Sequence, residues 1–495
     1  METPRELAQE LAGLEAVSRL LEPDAQSRER IREPFVHYTE RFLEALQDTP
    51  AYRSEKRAAL ALRDLPVPEE PTPPETLVDL LEENVDRVGL NAAHPGHVAY
   101  IPGGGLYPSA LGDYVAAVTN HYAGIAYAGP GAAQMEDRLV RWMAEITGLP
   151  STAGGNLASG GSVANLIAVI TAREARPVRS EDVPTVVVYS TSQAHHCVDK
   201  ALHMAGLGEC VRRTVPMDEG HRMDPAGLRE LVTRDRREGL EPWLVVASAG
   251  TTDAGAVDPL EAVADVARDE GLWYHVDAAY GGFFALSPRI RPRLKGMERA
   301  DSLVLDPHKG LFLPYGLGAV LVRDDDLLRR AHTGRGAYLQ DAEAEQERIP
   351  SPADRSPELT KHWRAPRMWL PLMLFGLRPF RAALEEKILL ARYFRKQARE
   401  MGFETGPEPD LSVVLYRWVP AEGDPDAFNR ELVRRLHQDG RVFVSSTTLG
   451  GTFYLRFAVL SFRTHRETVD LYLEMLTRIL RDLGEEPSAP EVVTP

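Results

Sequence analysis

Five short apolar runs, at 185–189, 243–247, 272–276, Ser302–Leu305 and Gly318–Val322, are separated by stretches with helical spacing such as 260–268. Runs of four or five apolar residues suit strands buried on both faces. Their alternation with helices predicts an α/β domain with a mainly parallel central sheet. The pattern holds from about residue 91 to residue 373. In open sheets of this kind, ligands bind just beyond the carboxyl ends of the strands. The residues that close each run are therefore where chemistry is expected.

Two of these ends stand out. The run at 272–276 closes on Asp277-Ala278-Ala279-Tyr280, and Ser302–Leu305 closes on Asp306-Pro307-His308-Lys309. Neighbouring strands would bring a carboxylate, an imidazole and an amine to one crevice. Asp277 follows Trp273, Tyr274 and Val276, and a carboxylate in such company requires a cationic partner. A third end, Ser159-Gly160-Gly161-Ser162, opens an apolar helical run. Glycines admit close backbone approach, and a helix start offers free N–H groups to an anion, to which Ser162 adds a hydroxyl. Beyond 185–189 comes Gln193-Ala194-His195, whose ring would lie flat on a planar ligand while the small Ala279 leaves the other face open. Ala249-Gly250-Thr251-Thr252 adds hydroxyls at the same edge. A lysine, a carboxylate and a phosphate cradle are what an aldehyde cofactor such as pyridoxal phosphate requires.

Taken in order, Ser-Gly-Gly-Ser, Gln-Ala-His, Gly-Thr-Thr, His-Val-Asp-Ala-Ala-Tyr and Asp-Pro-His-Lys resemble the group II pyridoxal-phosphate decarboxylases, which act on aromatic amino acids, histidine or glutamate. The resemblance runs from about His94 to Phe462, and Asp-Pro-His-Lys and His-Val-Asp-Ala-Ala are its specific parts. It implies the type I pyridoxal-phosphate fold and a homodimer with its sites at the subunit interface. By the same resemblance, Lys309 bonds the cofactor aldehyde as a Schiff base and Asp277 pairs with the pyridine nitrogen. His195 and Ala279 sandwich the ring; Gly161, Ser162 and His308 hold the phosphate, with Thr252 nearby. Tyr100, in Ala99-Tyr100-Ile101-Pro102-Gly103, and Arg364 are the implied substrate contacts, and glycines 103 to 105 are read as opening space beside them. Lys309 must be neutral to react, and burial near cationic groups is expected to lower its pKa.

The chain departs from the family pattern in places. Residues 340–362 contain no tyrosine, where relatives commonly carry one that helps protonate the substrate carbon. Gly310 follows the lysine where most relatives have tryptophan, and no acidic residue follows Tyr315. The expected reaction is α-decarboxylation of an L-amino acid, aromatic by preference, to amine and carbon dioxide. Aldehyde synthesis and transamination stay open beside it. A reading of another class, an α/β protein that binds a phosphate metabolite without catalysis, needs only the glycine turn.

Composition sets the limits. With 57 basic and 73 acidic residues the net charge is −16, which argues against nucleic acid or an anionic membrane as partner. Two cysteines, Cys197 and Cys210, allow neither a disulfide framework nor a cysteine-based metal site. The start lacks a signal-peptide pattern and no apolar run is long enough to span a bilayer, so a cytoplasmic location is expected. Four segments are predicted: a helical arm and proline-rich connector (1–75), a large cofactor-binding α/β domain (76–375), a smaller α+β domain (376–485) and a tail (486–495). The polar, proline-broken stretch 340–357 reads as a lid or a disordered loop.

Overall fold

The structure, a computed structural model, describes residues 3–54, 58–334 and 350–488. Its strands are β1 (Tyr52–Arg53), β2 (Gly89–Leu90), β3 (His97–Val98), β4 (Gly154–Ala158), β5 (Val186–Ser190), β6 (Val211–Thr214), β7 (Glu241–Ser248), β8 (Trp273–Asp277), β9 (Ser302–Leu305), β10 (Gly318–Val322), β11 (Glu404–Thr405), β12 (Val413–Arg417), β13 (Phe443–Leu449) and β14 (Thr452–Ala458). The chain divides into two units, 1–94 and 95–495.

In the first unit, the helix Pro4–Ser18 starts on a capping box. The Thr3 hydroxyl accepts from the Glu6 N–H, and the Glu6 carboxylate accepts from the Thr3 N–H. The helical arm is divided into separate helices. Pro23 and the Asp24 cap start a second helix at Ala25–Glu44, and β1 then pairs antiparallel with β2.

The second unit carries the functional elements. Its seven-stranded sheet has the order β4-β10-β9-β8-β7-β5-β6, and only β10 runs against its neighbours. The connection from β9 to β10 contains no crossover helix longer than the turn Pro307–Gly310, so the chain returns as an antiparallel neighbour. Side chains alternate between two buried layers, as the period-2 geometry of strands demands. Leu303 and Leu305 enter one core; Val304 enters the other, beside Trp273 and the helix Gly161–Ala175. His275 and Asp277 share the Trp273 face by the same alternation, so both point toward that helix layer.

A five-stranded sheet, β11-β12-β14-β13-β3, packs the helices Leu377–Met401 and Arg466–Asp482 around Phe394, Tyr416, Phe457 and Tyr472. Its last member, β3, comes from far upstream and pairs in parallel with β13. Of the stretch read as a lid, residues 340–349 lie outside those described. Residues 351–356 are built into the unit: Arg355 is buried between Asp137 (3.1 Å) and Asp325 (2.7 Å), and Asn156 Nδ2 donates to the Pro352 carbonyl. Two carboxylates around one buried guanidinium fix that segment where its composition suggests a loop.

Candidate active site

The ends of β4, β5, β7, β8 and β9 converge on one cavity of about 310 Å³. Gly161, Ser162, His195, Thr252, Asp277, Ala279, His308 and Lys309 all line it. Sequence positions more than a hundred residues apart meet there because parallel strands deliver their carboxyl ends to the same edge of the sheet.

The turn Ser159-Gly160 leads into the helix Gly161–Ala175, whose N-cap, Gly160, makes no side-chain cap. The first N–H groups of that helix thus open on the cavity without intrahelical partners. Gly161 is required by a close approach, since a Cβ there would fall 2.9 Å from Asp306 Oδ2. His308 Nδ1 donates to the Leu317 carbonyl at 2.6 Å, and Nε2, the other ring nitrogen, lies 3.7 Å from Asp306 Oδ2. Burial lowers the His308 pKa, against the pull of Asp306. His195 Nδ1 accepts from the Cys197 N–H at 3.3 Å, and burial lowers this imidazole too.

Lys309 is the point where expectation and structure part. Its ammonium lies 2.9 Å from Asp306 Oδ2. Burial pulls its pKa down, but the charges of Asp306 and Asp277 outweigh burial and the net shift is upward. The lysine is thus stored as an ammonium on Asp306, whose other oxygen, Oδ1, is buried without a hydrogen-bond partner.

Asp306 was missed as a site residue, although it directly follows β9 much as Asp277 closes β8. Asn165, Gln193, Ser248 and Cys197 also line the cavity. Burial pushes the Cys197 thiol up to about 12, so it is inert packing.

Tyr100 and Arg364 stand apart from the lining. Tyr100 is 56% exposed, and its carbonyl accepts from Arg456 Nη2 at 3.3 Å. Arg364 is buried, bidentate to Glu358 (2.8 and 2.9 Å), and donates to the Leu157 carbonyl, which leaves its guanidinium committed. The glycines at 103 to 105 differ from one another. A Cβ at 103 would fall 1.8 Å from the His308 carbonyl oxygen and one at 104 only 2.9 Å from the Phe462 ring, so 105 alone borders open space. At Gly310 a Cβ would meet Phe283 at 2.7 Å, which explains the absence of a large residue after the lysine.

The lining fits pyridoxal phosphate on its own chemistry. There is an uncapped helix start for the dianion, a carboxylate for a ring nitrogen, an amine for an aldehyde and an imidazole for a ring face. The pattern described as pyridoxal-dependent decarboxylase conserved domain matches residues 56–419. An aromatic-L-amino-acid decarboxylase of Bacillus atrophaeus is 33% identical over 429 residues, covering 85% of this chain and 88% of the relative. A phenylacetaldehyde synthase of Arabidopsis thaliana is 29% identical over 406 residues, covering 79% and 83%. Among solved structures, Oryza sativa TDC with PLP and tryptamine superposes with a TM-score of 0.88 at 27% identity, over 93% of this chain and 99% of that one. Family membership leaves the non-catalytic reading without support: the chain belongs to the pyridoxal-dependent decarboxylase family and is a pyridoxal-phosphate-dependent carboxy-lyase with the type I fold.

Proposed function

We propose that the chain decarboxylates an aromatic L-amino acid to the corresponding amine and carbon dioxide. The observation that carries this reading is the single cavity that Lys309, Asp277 and the uncapped helix start share. The 33% identical aromatic-L-amino-acid decarboxylase supports the substrate class. Bound there, pyridoxal phosphate supplies an electron sink for the pair left when the carboxylate departs.

The protein's part is to hold and to shield. The N–H groups at Gly161 and Ser162 bind the phosphate, with the Ser162 hydroxyl, His308 and Thr252 beside them. Asp277 keeps a proton on the ring nitrogen, because a nearby opposite charge favours the protonated form. Its Oδ1 also accepts from the Ala279 N–H at 3.1 Å, which fixes the carboxylate's direction. His195 and Ala279 bound the two ring faces. Lys309 Nζ is the amine for the aldehyde, and Asp306 receives its charge whenever it is released. Tyr100, exposed and outside the lining, is retained as a proposed substrate contact; Arg364, held by Glu358, is not.

The segment 376–485, which supplies β11 to β14, is proposed as a smaller lobe. A homodimer is supported by Leu7, Leu11 and Leu14, spaced along one helix that buries none of its residues, and by Tyr114 and Val118, which are exposed on another. A cytoplasmic site is supported by two free, buried cysteines. Among the described residues no helix is long and apolar enough to cross a membrane.

A substrate panel with amine, carbon dioxide, aldehyde and peroxide measured together tests the reading. Amine and carbon dioxide in equal amounts from tryptophan, tyrosine or phenylalanine support it; turnover confined to glutamate or histidine overturns the substrate class. The second reading is aldehyde synthesis, favoured by the missing tyrosine at 340–362 and by the phenylacetaldehyde synthase relative. It predicts aldehyde and peroxide with consumption of dioxygen.

A further inference from the structure

Beneath the cavity runs a chain of hydrogen bonds whose direction can be assigned throughout. Trp273 Nε1–H donates to Ser302 Oγ at 2.9 Å. Ser302 Oγ lies 2.8 Å from His275 Nδ1, and His275 Nε2 lies 2.8 Å from Asn165 Oδ1. Asn165 Nδ2 donates to the Gly161 carbonyl at 2.9 Å. The amide orientation of Asn165 follows from that carbonyl, which can only accept. His275 Nε2 must then carry a hydrogen; burial disfavours a second proton on the ring, so it is the neutral Nε2–H tautomer and Nδ1 accepts from the Ser302 hydroxyl.

Every member of the chain has a reason for its place. Trp273, His275 and Asp277 share one face of β8, and Ser302 is the residue opposite His275 on β9. Asn165 sits one turn into the helix whose first residue is Gly161. A buried imidazole in an apolar layer is costly unless both nitrogens are paired, and here both are. An apolar side chain at 275 would leave Asn165 Oδ1 and the Ser302 hydroxyl without these partners.

We propose that His275 and Asn165 are positioning residues, a polar strut that fixes the start of the Gly161–Ala175 helix relative to Asp277 and so sets the span between phosphate site and ring-nitrogen site. This deepens the cofactor reading given above and rests on it. A cofactor gripped at both ends tolerates little error in that span.

The test compares binding of pyridoxal phosphate with binding of pyridoxal, which lacks the phosphate, by absorbance titration of the full-length protein. In the unsubstituted protein the phosphate should give much the tighter binding; equal binding of the two would overturn the cofactor reading itself. Asn165→Leu is expected to reduce the advantage of pyridoxal phosphate over pyridoxal by at least about fivefold. It should lower apparent cofactor affinity more than it raises the KM of the amino acid. An unchanged ratio, with the phosphate still strongly preferred, overturns the strut alone. Where Asn165→Leu yields no folded protein, Ser302→Ala decides, with a fall in the same direction expected and no fall refuting. Nitrogen NMR of His275 must show the Nε2–H tautomer; a protonated or Nδ1–H ring also overturns the proposal.

Discussion

Lys361→Met isolates one buried charge pair close to the phosphate turn. Lys361 Nζ is 2.7 Å from Glu136 Oε1, with the two side chains 0% and 3% exposed. It also donates to Asn156 Oδ1 at 3.2 Å and the Leu157 carbonyl at 3.3 Å. β4 is an edge strand, so Leu157 has backbone groups that no neighbouring strand pairs. Glu136 accepts its N–H at 3.1 Å, while Lys361 and Arg364 donate to its carbonyl. The pair therefore closes the open edge two residues before Ser159. Removing the lysine strands a carboxylate whose Oε2 already lacks a partner, at a cost of about 3–5 kcal/mol. Glu136→Gln in the same protein keeps an acceptor for Leu157 and removes the stranded charge, so the double variant should recover at least about half of that loss. Burial pulls the Lys361 ammonium below its usual range despite Glu136, so desolvation is incompletely offset and the recovery is physically reasonable. Urea unfolding at fixed, saturating cofactor measures all four proteins of the cycle, Glu136→Gln alone included. A single-variant cost under about 1 kcal/mol, or losses that simply add in the double variant, would refute the argument.

Other outcomes follow from individual contacts. Asp306→Asn removes the partner that holds Lys309 charged, so the pH midpoint for covalent attachment of pyridoxal phosphate, followed by absorbance, should move to lower pH. Gly161→Val places a side chain against Asp306 in the anion site and should weaken cofactor binding by about 1–3 kcal/mol, read by titration. Burial holds His275 down at about 4, against an ordinary 6.5. The unfolded chain takes up a proton in that window which the folded chain refuses, so this contribution is complete above about pH 6.5 and is lost as pH falls toward 4. The loss is roughly 3 kcal/mol, should appear as a falling urea midpoint, and should flatten in His275→Gln.

Much of this site was legible because chemistry-bearing residues follow short, clearly apolar runs. The limits of β9 and β10 are those read from sequence, and β5, β7 and β8 shift by one or two residues. What escaped did so for physical reasons. β4, Gly-Gly-Asn-Leu-Ala, has no β-branched residue, and its pairing with β10 alone makes it a strand. β6, Val-Arg-Arg-Thr, is an edge strand with charged residues, and β3 has two residues held by β13. Asp306 lay within a quoted motif, but its ion pair with Lys309 depends on the turn Pro307–Gly310 bringing the two side chains together. Asn165 is a single polar residue in an apolar helical run, and nothing local marks it because its partner His275 is 110 residues away. The upward shift of Lys309 follows from counting two carboxylates in one cavity, which no linear reading provides.

Borohydride reduction of the holoenzyme followed by peptide mapping asks most directly where the cofactor is bound. A reduced pyridoxyl group on Lys309, absent after Lys309→Ala and spectrally altered by Asp277→Asn, is the expected result. Label on another lysine, or a cofactor spectrum indifferent to Asp277, would contradict the assignment of this cavity.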